Sequence, residues 1–161
     1  MTHKFHWWWA LGLLVLPFAA SAAGFDIVAG PSVTSSSRTT GVAFASVFGE
    51  PPVDDHFHFE PIATAGWVQG RSTHADDLDH DVAVAGGGVR ILAPHQHWFA
   101  SEQVAATSHR TDALSSEFEF MTSAGWQDGH FIIMARHISN GRLIGHGKNL
   151  GETMLLAGVR F

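Results

Sequence analysis

The sequence predicts an all-β protein, an eight-stranded antiparallel transmembrane β-barrel of the bacterial outer membrane. Three features carry this expectation. Apolar and polar residues alternate at period two through eight segments separated by Gly, Pro, Asp and Ser. The N-terminus is built like an export signal. The connections between segments are short on one side and long on the other, the habit of outer-membrane barrels. Composition agrees. The chain of 161 residues holds one domain's worth of sequence, and its 15 % charged residues fall below the usual roughly 25 %. A formal charge of −6 argues against nucleic acid as a partner, and the absence of cysteine excludes disulfide scaffolds, thiol nucleophiles and Cys-based metal sites.

Residues 1–22 form the expected signal peptide. Lys4 supplies a positive region, Trp7 to Phe18 an apolar run, and Ala20-Ser21-Ala22 a small-residue cleavage site. The run is shorter than the roughly 20 residues of a spanning helix. Residues 23–161 form the expected barrel domain. Its strands are predicted near 25–34, 38–48, 55–70, 81–93, 96–107, 115–126, 129–140 and 152–161, lengths that suit a tilted membrane strand.

The alternation sorts residues onto two faces. In the third segment Phe57, Phe59, Pro61, Ala63, Ala65 and Trp67 oppose His56, His58, Glu60, Ile62 and Thr64. In the sixth, Phe118, Phe120, Thr122, Ala124 and Trp126 oppose Glu117, Glu119, Met121 and Ser123. The fourth sets Ala83, Ala85, Val89 and Ile91 against Val84, Gly86, Gly88 and Arg90, and Glu102 in the fifth suggests a bulge. The aromatic faces are expected to meet lipid. The opposite faces carry Glu60, Glu117 and Glu119 against Arg90, Arg136 and Arg160, a balanced set for a narrow interior where unpaired charge is costly. Short turns are predicted at 49–52, 93–95 and 127–129, and long loops at 71–80, 108–114 and 141–151. Phe25, Phe48, Phe57, Trp98, Trp126 and Phe131 gather at the short-turn ends like an interface girdle. The last strand ends in Phe161, resembling the signal read by the barrel assembly machinery, which would be a partner during biogenesis.

The C-terminal thirty residues carry candidate chemistry. His137 and Ser139 lie two apart on a strand and so share a face, the one assigned to lipid. Polar residues aimed at a membrane are expensive unless they act or pair. A histidine beside a serine hydroxyl can take its proton as general base. Glu152, across one hairpin loop, is the candidate carboxylate to orient the imidazole.

Residues 136–161 extend this pattern: Arg-His-Ile-Ser-Asn-Gly, a loop ending Asn-Leu-Gly-Glu, then an alternating strand to Phe161. They resemble the PagL family of lipid A 3-O-deacylases, eight-stranded outer-membrane esterases with a Ser-His-Glu triad. The resemblance places His137, Ser139 and Glu152 on the family's base, nucleophile and orienting acid. It implies lipid A of lipopolysaccharide as substrate, hydrolysis of the ester-linked 3-hydroxyacyl chain, and no metal or cofactor. The side chains of Asn140 and Asn149 and the Gly141 backbone N–H are candidate oxyanion donors. Arg142 and Lys148, with Arg38, Arg71 and Arg110 near the same barrel end, are candidate contacts for lipid A phosphates. The acidic run 74–81 reads either as a solvated loop or as a gatherer of divalent cations. The twelve histidines, including His56/His58 and His95/His97, show no evident third ligand for a metal. Two other classes stay open: a non-enzymatic structural or adhesive outer-membrane barrel, and a soluble lipocalin-like carrier. A homodimer is compatible with all three.

Overall fold

The computed structural model describes residues 24–49, 56–141 and 148–161. The expected signal peptide, most of the predicted 49–52 turn and Arg142 lie outside the described residues. Every predicted segment is a strand: β1 (Gly24–Val33), β2 (Thr39–Phe48), β3 (His58–Val68), β4 (Val82–Leu92), β5 (Trp98–Thr107), β6 (Phe118–Asp128), β7 (Phe131–Ser139) and β8 (Glu152–Arg160). Each pairs antiparallel with the next, and β8 returns to β1, so the sheet is a closed barrel. Closure removes the unpaired edges that an open sheet must protect.

Some local expectations are corrected. Residues 115–117 are not strand. The Ser116 backbone N–H and hydroxyl both donate to the Glu119 carboxylate, 2.9 and 3.0 Å, which folds the chain into a turn before β6. Glu117 is therefore exposed and pairs with Arg110 at 2.9 Å, not with an arginine inside the barrel. The β6–β7 turn lies at Gly129, whose φ of +54° suits glycine. Glu102 marks no bulge. It pairs in unbroken register with Val89 and Thr122, and accepts a 2.6 Å hydrogen bond from Thr122 Oγ1 on the outward face.

Side-chain parity otherwise follows the alternation. Phe57, Phe59, Trp67, Trp98, Phe118 and Phe131 point outward and are exposed. Phe48 is the exception among the girdle aromatics: it is 2 % exposed and faces the lumen. Strand parity puts it there, on the inward face with Phe44 and Ser46. Its ring takes the guanidinium of Arg90 at 4.6 Å and that of Arg160 at 4.8 Å.

The lumen is filled by side chains. Arg90 lies between the rings of Phe48 and Phe99, pairs with Glu60 at 3.3 Å, and donates to Gln127. Arg136 covers the Phe44 ring and donates to Ser123 Oγ at 2.9 Å. Asp26, which the alternation left unassigned, is also buried there and lies opposite Arg160 in the register. Asp26, Glu60, Glu119 and Glu152 thus offset Arg90, Arg136, Arg160 and the loop residue Arg71.

The two ends of the barrel differ. One carries the β4–β5 3-10 turn Pro94–Gln96 and the Gly129 turn. The other carries 34–38, 69–81, 108–117, 140–141 and 148–151, with Leu78, Ala113 and Leu114 buried there. Segment 148–151 is clamped among its neighbours there. Ser35 N–H donates to Leu150 C=O, Leu150 N–H to Asp112 C=O, and Gly151 N–H to Ala113 C=O. Lys148 Nζ adds bonds to Ala75 C=O at 2.8 Å and to the carboxylates of Asp76 and Asp112 at 3.1 Å each.

Asp76 also accepts from Ser36 Oγ at 2.9 Å. The Lys148 hydrogen bond, and then that of Ser36, hold its carboxyl below the ordinary carboxylate range. A group whose pKa is depressed on folding contributes stability above its unfolded pKa, and the contribution fades as pH falls through the folded one. Acidification below roughly pH 4 is therefore expected to loosen the long-loop end before the barrel itself. Amide protection in 69–81 and 148–151, measured against the intrinsic exchange rate at each pH, should fall there while strand amides stay protected; a parallel loss of protection in both would overturn this.

Candidate active site

The site is built on the β7–β8 hairpin at the long-loop end. The alternation turns His137 and Ser139 outward, while Ile138 and Arg136 fill the lumen. Antiparallel pairing puts Thr153 directly opposite His137 and Glu152 opposite Ile138. Residues directly opposite share a face. His137 therefore meets Thr153, and its Nδ1 lies 2.9 Å from Thr153 Oγ1.

Glu152 does not join the imidazole. Its side chain enters the lumen and is 1 % exposed. There its carboxylate accepts 2.6 Å from Arg71 Nη2 and a second bond from Ser32 Oγ. Strand parity is the physical reason: two consecutive strand residues cannot both face His137. The triad expected from the sequence is brought together as His137 and Ser139 on one face, with Glu152 on the other. Arg71, a candidate for phosphate, is likewise committed to the lumen.

Gly151 backs the imidazole. Its φ is +65°, and a Cβ built there would lie 2.8 Å from His137 Cε1. Only glycine lets the loop turn left-handed against the ring. Gly151→Ala is expected to push the imidazole off its seat. Angstrom-scale misplacement of a reacting group costs about 100-fold, so ester hydrolysis should fall by that order with the barrel still folded. An unchanged rate in a folded variant would show that the ring's seat is irrelevant.

The candidate oxyanion donors separate. Asn140 is buried, donates through Nδ2 to Ser115 Oγ at 3.0 Å, and accepts from Asn149 Nδ2 at 2.5 Å. Through these bonds both side chains brace the loop beside Ser139. Gly141 is exposed at the strand end with φ +60°, and its N–H keeps its candidacy. Lys148 bonds to Asp76 and Asp112 and is half-exposed. The same bonds give the acidic run 74–81 a role in tying loops together.

Below His137 the outward face is apolar. A groove of about 690 Å³ crosses β1, β8, β7, β6 and β5, floored by Gly30, Ala124, Gly125, Ala135 and Ala157 and walled in part by Trp126. Ala135 is the next outward residue after His137 on β7. Thr153 and this groove escaped the sequence reading. The small residues at 124, 125, 135 and 157 were visible as an interruption of the aromatic face, but their convergence needs the register. No family model matches this chain, and no curated protein or solved structure does either.

Proposed function

We propose that this chain is an outer-membrane lipid A 3-O-deacylase, a serine esterase that removes the ester-linked 3-hydroxyacyl chain from lipid A of lipopolysaccharide. The observation that carries the proposal is the outward placement of His137 and Ser139 at the long-loop end, directly above an apolar groove. A closed barrel with exposed aromatics outside and paired charges inside suits a bilayer, with the short turns periplasmic and the long loops outside the cell. The site then lies at the level of the outer leaflet, where lipid A resides. The groove supplies an apolar seat for an acyl chain whose ester stands beside Ser139.

In the reaction Ser139 Oγ attacks the ester carbonyl while His137 takes its proton. The developing oxyanion needs donors within hydrogen-bond reach, for which the Gly141 N–H is the candidate. Collapse expels the glucosamine alkoxide, which receives the proton from His137. Water, deprotonated by the same imidazole, then attacks the acyl carbonyl; the bond to Ser139 Oγ breaks, His137 returns the proton to that oxygen, and the 3-hydroxy fatty acid leaves. A passive barrel has no use for an exposed His–Ser pair at this level. Mass spectrometry of lipid A from cells with and without the protein tests the reading: loss of one 3-hydroxyacyl chain is expected, and unchanged lipid A with protein in the outer membrane would favour the structural or adhesive barrel.

A further inference from the structure

Resting on the esterase reading, we propose that Thr153 is the positioning residue for His137, in the place a carboxylate holds in a Ser-His-Glu triad. The Thr153 hydroxyl oxygen accepts from His137 Nδ1–H across the β7–β8 pair, which leaves Nε2 with the lone pair that takes the Ser139 proton.

The geometry behind this is a row of outward polar side chains at one level. Glu102 on β5, Thr122 on β6, His137 on β7 and Thr153 on β8 lie successively opposite one another in the register. His137 is thus flanked by two threonines. Thr122 gives its proton to Glu102 Oε2 at 2.6 Å. The imidazole turns the other way, to Thr153 Oγ1 at 2.9 Å. Neighbouring acids do not replace it. Glu152 faces the lumen and is bound to Arg71 and Ser32, and Glu102 stands on the far side of Thr122. Arg136, adjacent in sequence, also faces the lumen. Thr153 itself is fixed from behind, because Ser32 Oγ reaches its backbone carbonyl at 3.4 Å and Gly151 closes over the ring.

A hydroxyl can accept from Nδ1–H as a carboxylate does, but it carries no charge. It orients the ring and selects the tautomer. It stabilises the imidazolium less than a carboxylate would. Proton accounting is unaffected: Nδ1 keeps its hydrogen throughout, and the travelling proton passes from Ser139 Oγ to Nε2 and on to the leaving alkoxide.

The test uses the full-length barrel in detergent with ¹⁵N-labelled histidine, reading the His137 ring nitrogens by NMR alongside the pH profile of lipid A deacylation. The parent is expected to show one tautomer, protonated at Nδ1. Thr153→Val should mix the tautomers and lower kcat/KM by about tenfold, the worth of a neutral hydrogen bond, and Thr153→Ser should recover most of both. Thr153→Glu should move the acidic limb of the profile to higher pH, because a neighbouring carboxylate favours the imidazolium. Glu152→Gln should leave the tautomer as it is. A Thr153→Val ring identical to the parent's, or one that responds to Glu152→Gln instead, would overturn the inference. A Thr153-dependent tautomer in a protein without deacylase activity would sustain the hydrogen bond and defeat the esterase reading. An active, Ser139-dependent enzyme indifferent to Thr153 would do the reverse.

Discussion

Ser139→Ala should abolish ester hydrolysis while leaving the barrel intact. The substitution removes one hydroxyl at the outward end of β7, where no lumen volume is lost. The variant should therefore assemble and keep the heat-modifiable gel migration of closed barrels, whose backbone groups are all paired. In serine hydrolases, loss of the nucleophile leaves only what binding and the oxyanion site supply, a deficit on the order of 10⁴–10⁶ in kcat. His137→Ala should cost a similar amount and the double variant little more, since the two residues act on one proton. Release of 3-hydroxy fatty acid from purified lipid A in detergent gives the rates, with gel migration as the folding control. A folded Ser139→Ala protein working near the parent rate would remove Ser139 as the nucleophile.

Much of this architecture was legible in the sequence because a strand's period is two and each error of one residue is visible on both faces. The outward set Phe57, Phe59 and Trp67 and the inward set Glu60, Arg90 and Arg136 follow directly from alternation. Turns are where period two gives no help, and the misread positions cluster there. Glu117 was read as lumenal because the strand was begun too early; the Ser116–Glu119 turn decides otherwise. Glu152 was read as facing His137 because alternation within β8 does not fix its register against β7. That register is set by segment 148–151, held by Asp112 and Ala113 from a loop distant in sequence. Phe48 was placed in an aromatic girdle by composition, yet its quadrupole serves two guanidinium groups inside the barrel. The His137–Ser139 pair was legible because both members sit on one strand. Its partner Thr153 was not, since a threonine on an outward strand face carries no signal of its own.

The balance of lumenal charge leads to the second large effect, on stability. Glu60 and Arg90 are directly paired in the β3–β4 register and are 2 % and 1 % exposed at their side chains. Truncating the acid in Glu60→Ala leaves the Arg90 guanidinium buried with two aromatic faces and the Gln127 amide, and with Asp26 as the remaining lumenal carboxylate acting on it from further off. Breaking a buried pair from one side costs about 3–5 kcal/mol, because the remaining charge keeps its desolvation penalty without its partner. Replacing both members, Glu60→Ala with Arg90→Met, removes that penalty along with the attraction and should restore a large part of the loss. The cation–π contacts to Phe48 and Phe99 go with the guanidinium, so recovery should be incomplete. Urea unfolding in detergent, read by strand circular dichroism and gel migration, measures all three proteins against the parent. The expected order is parent, then double variant, then Glu60→Ala. A Glu60→Ala loss below about 1 kcal/mol would mean that the lumen solvates charge as a surface does, where ion pairs contribute little. A double variant less stable than Glu60→Ala would mean that the stacking of Arg90 on Phe48 of β2 and Phe99 of β5, rather than its pairing with Glu60, is what holds this part of the lumen together.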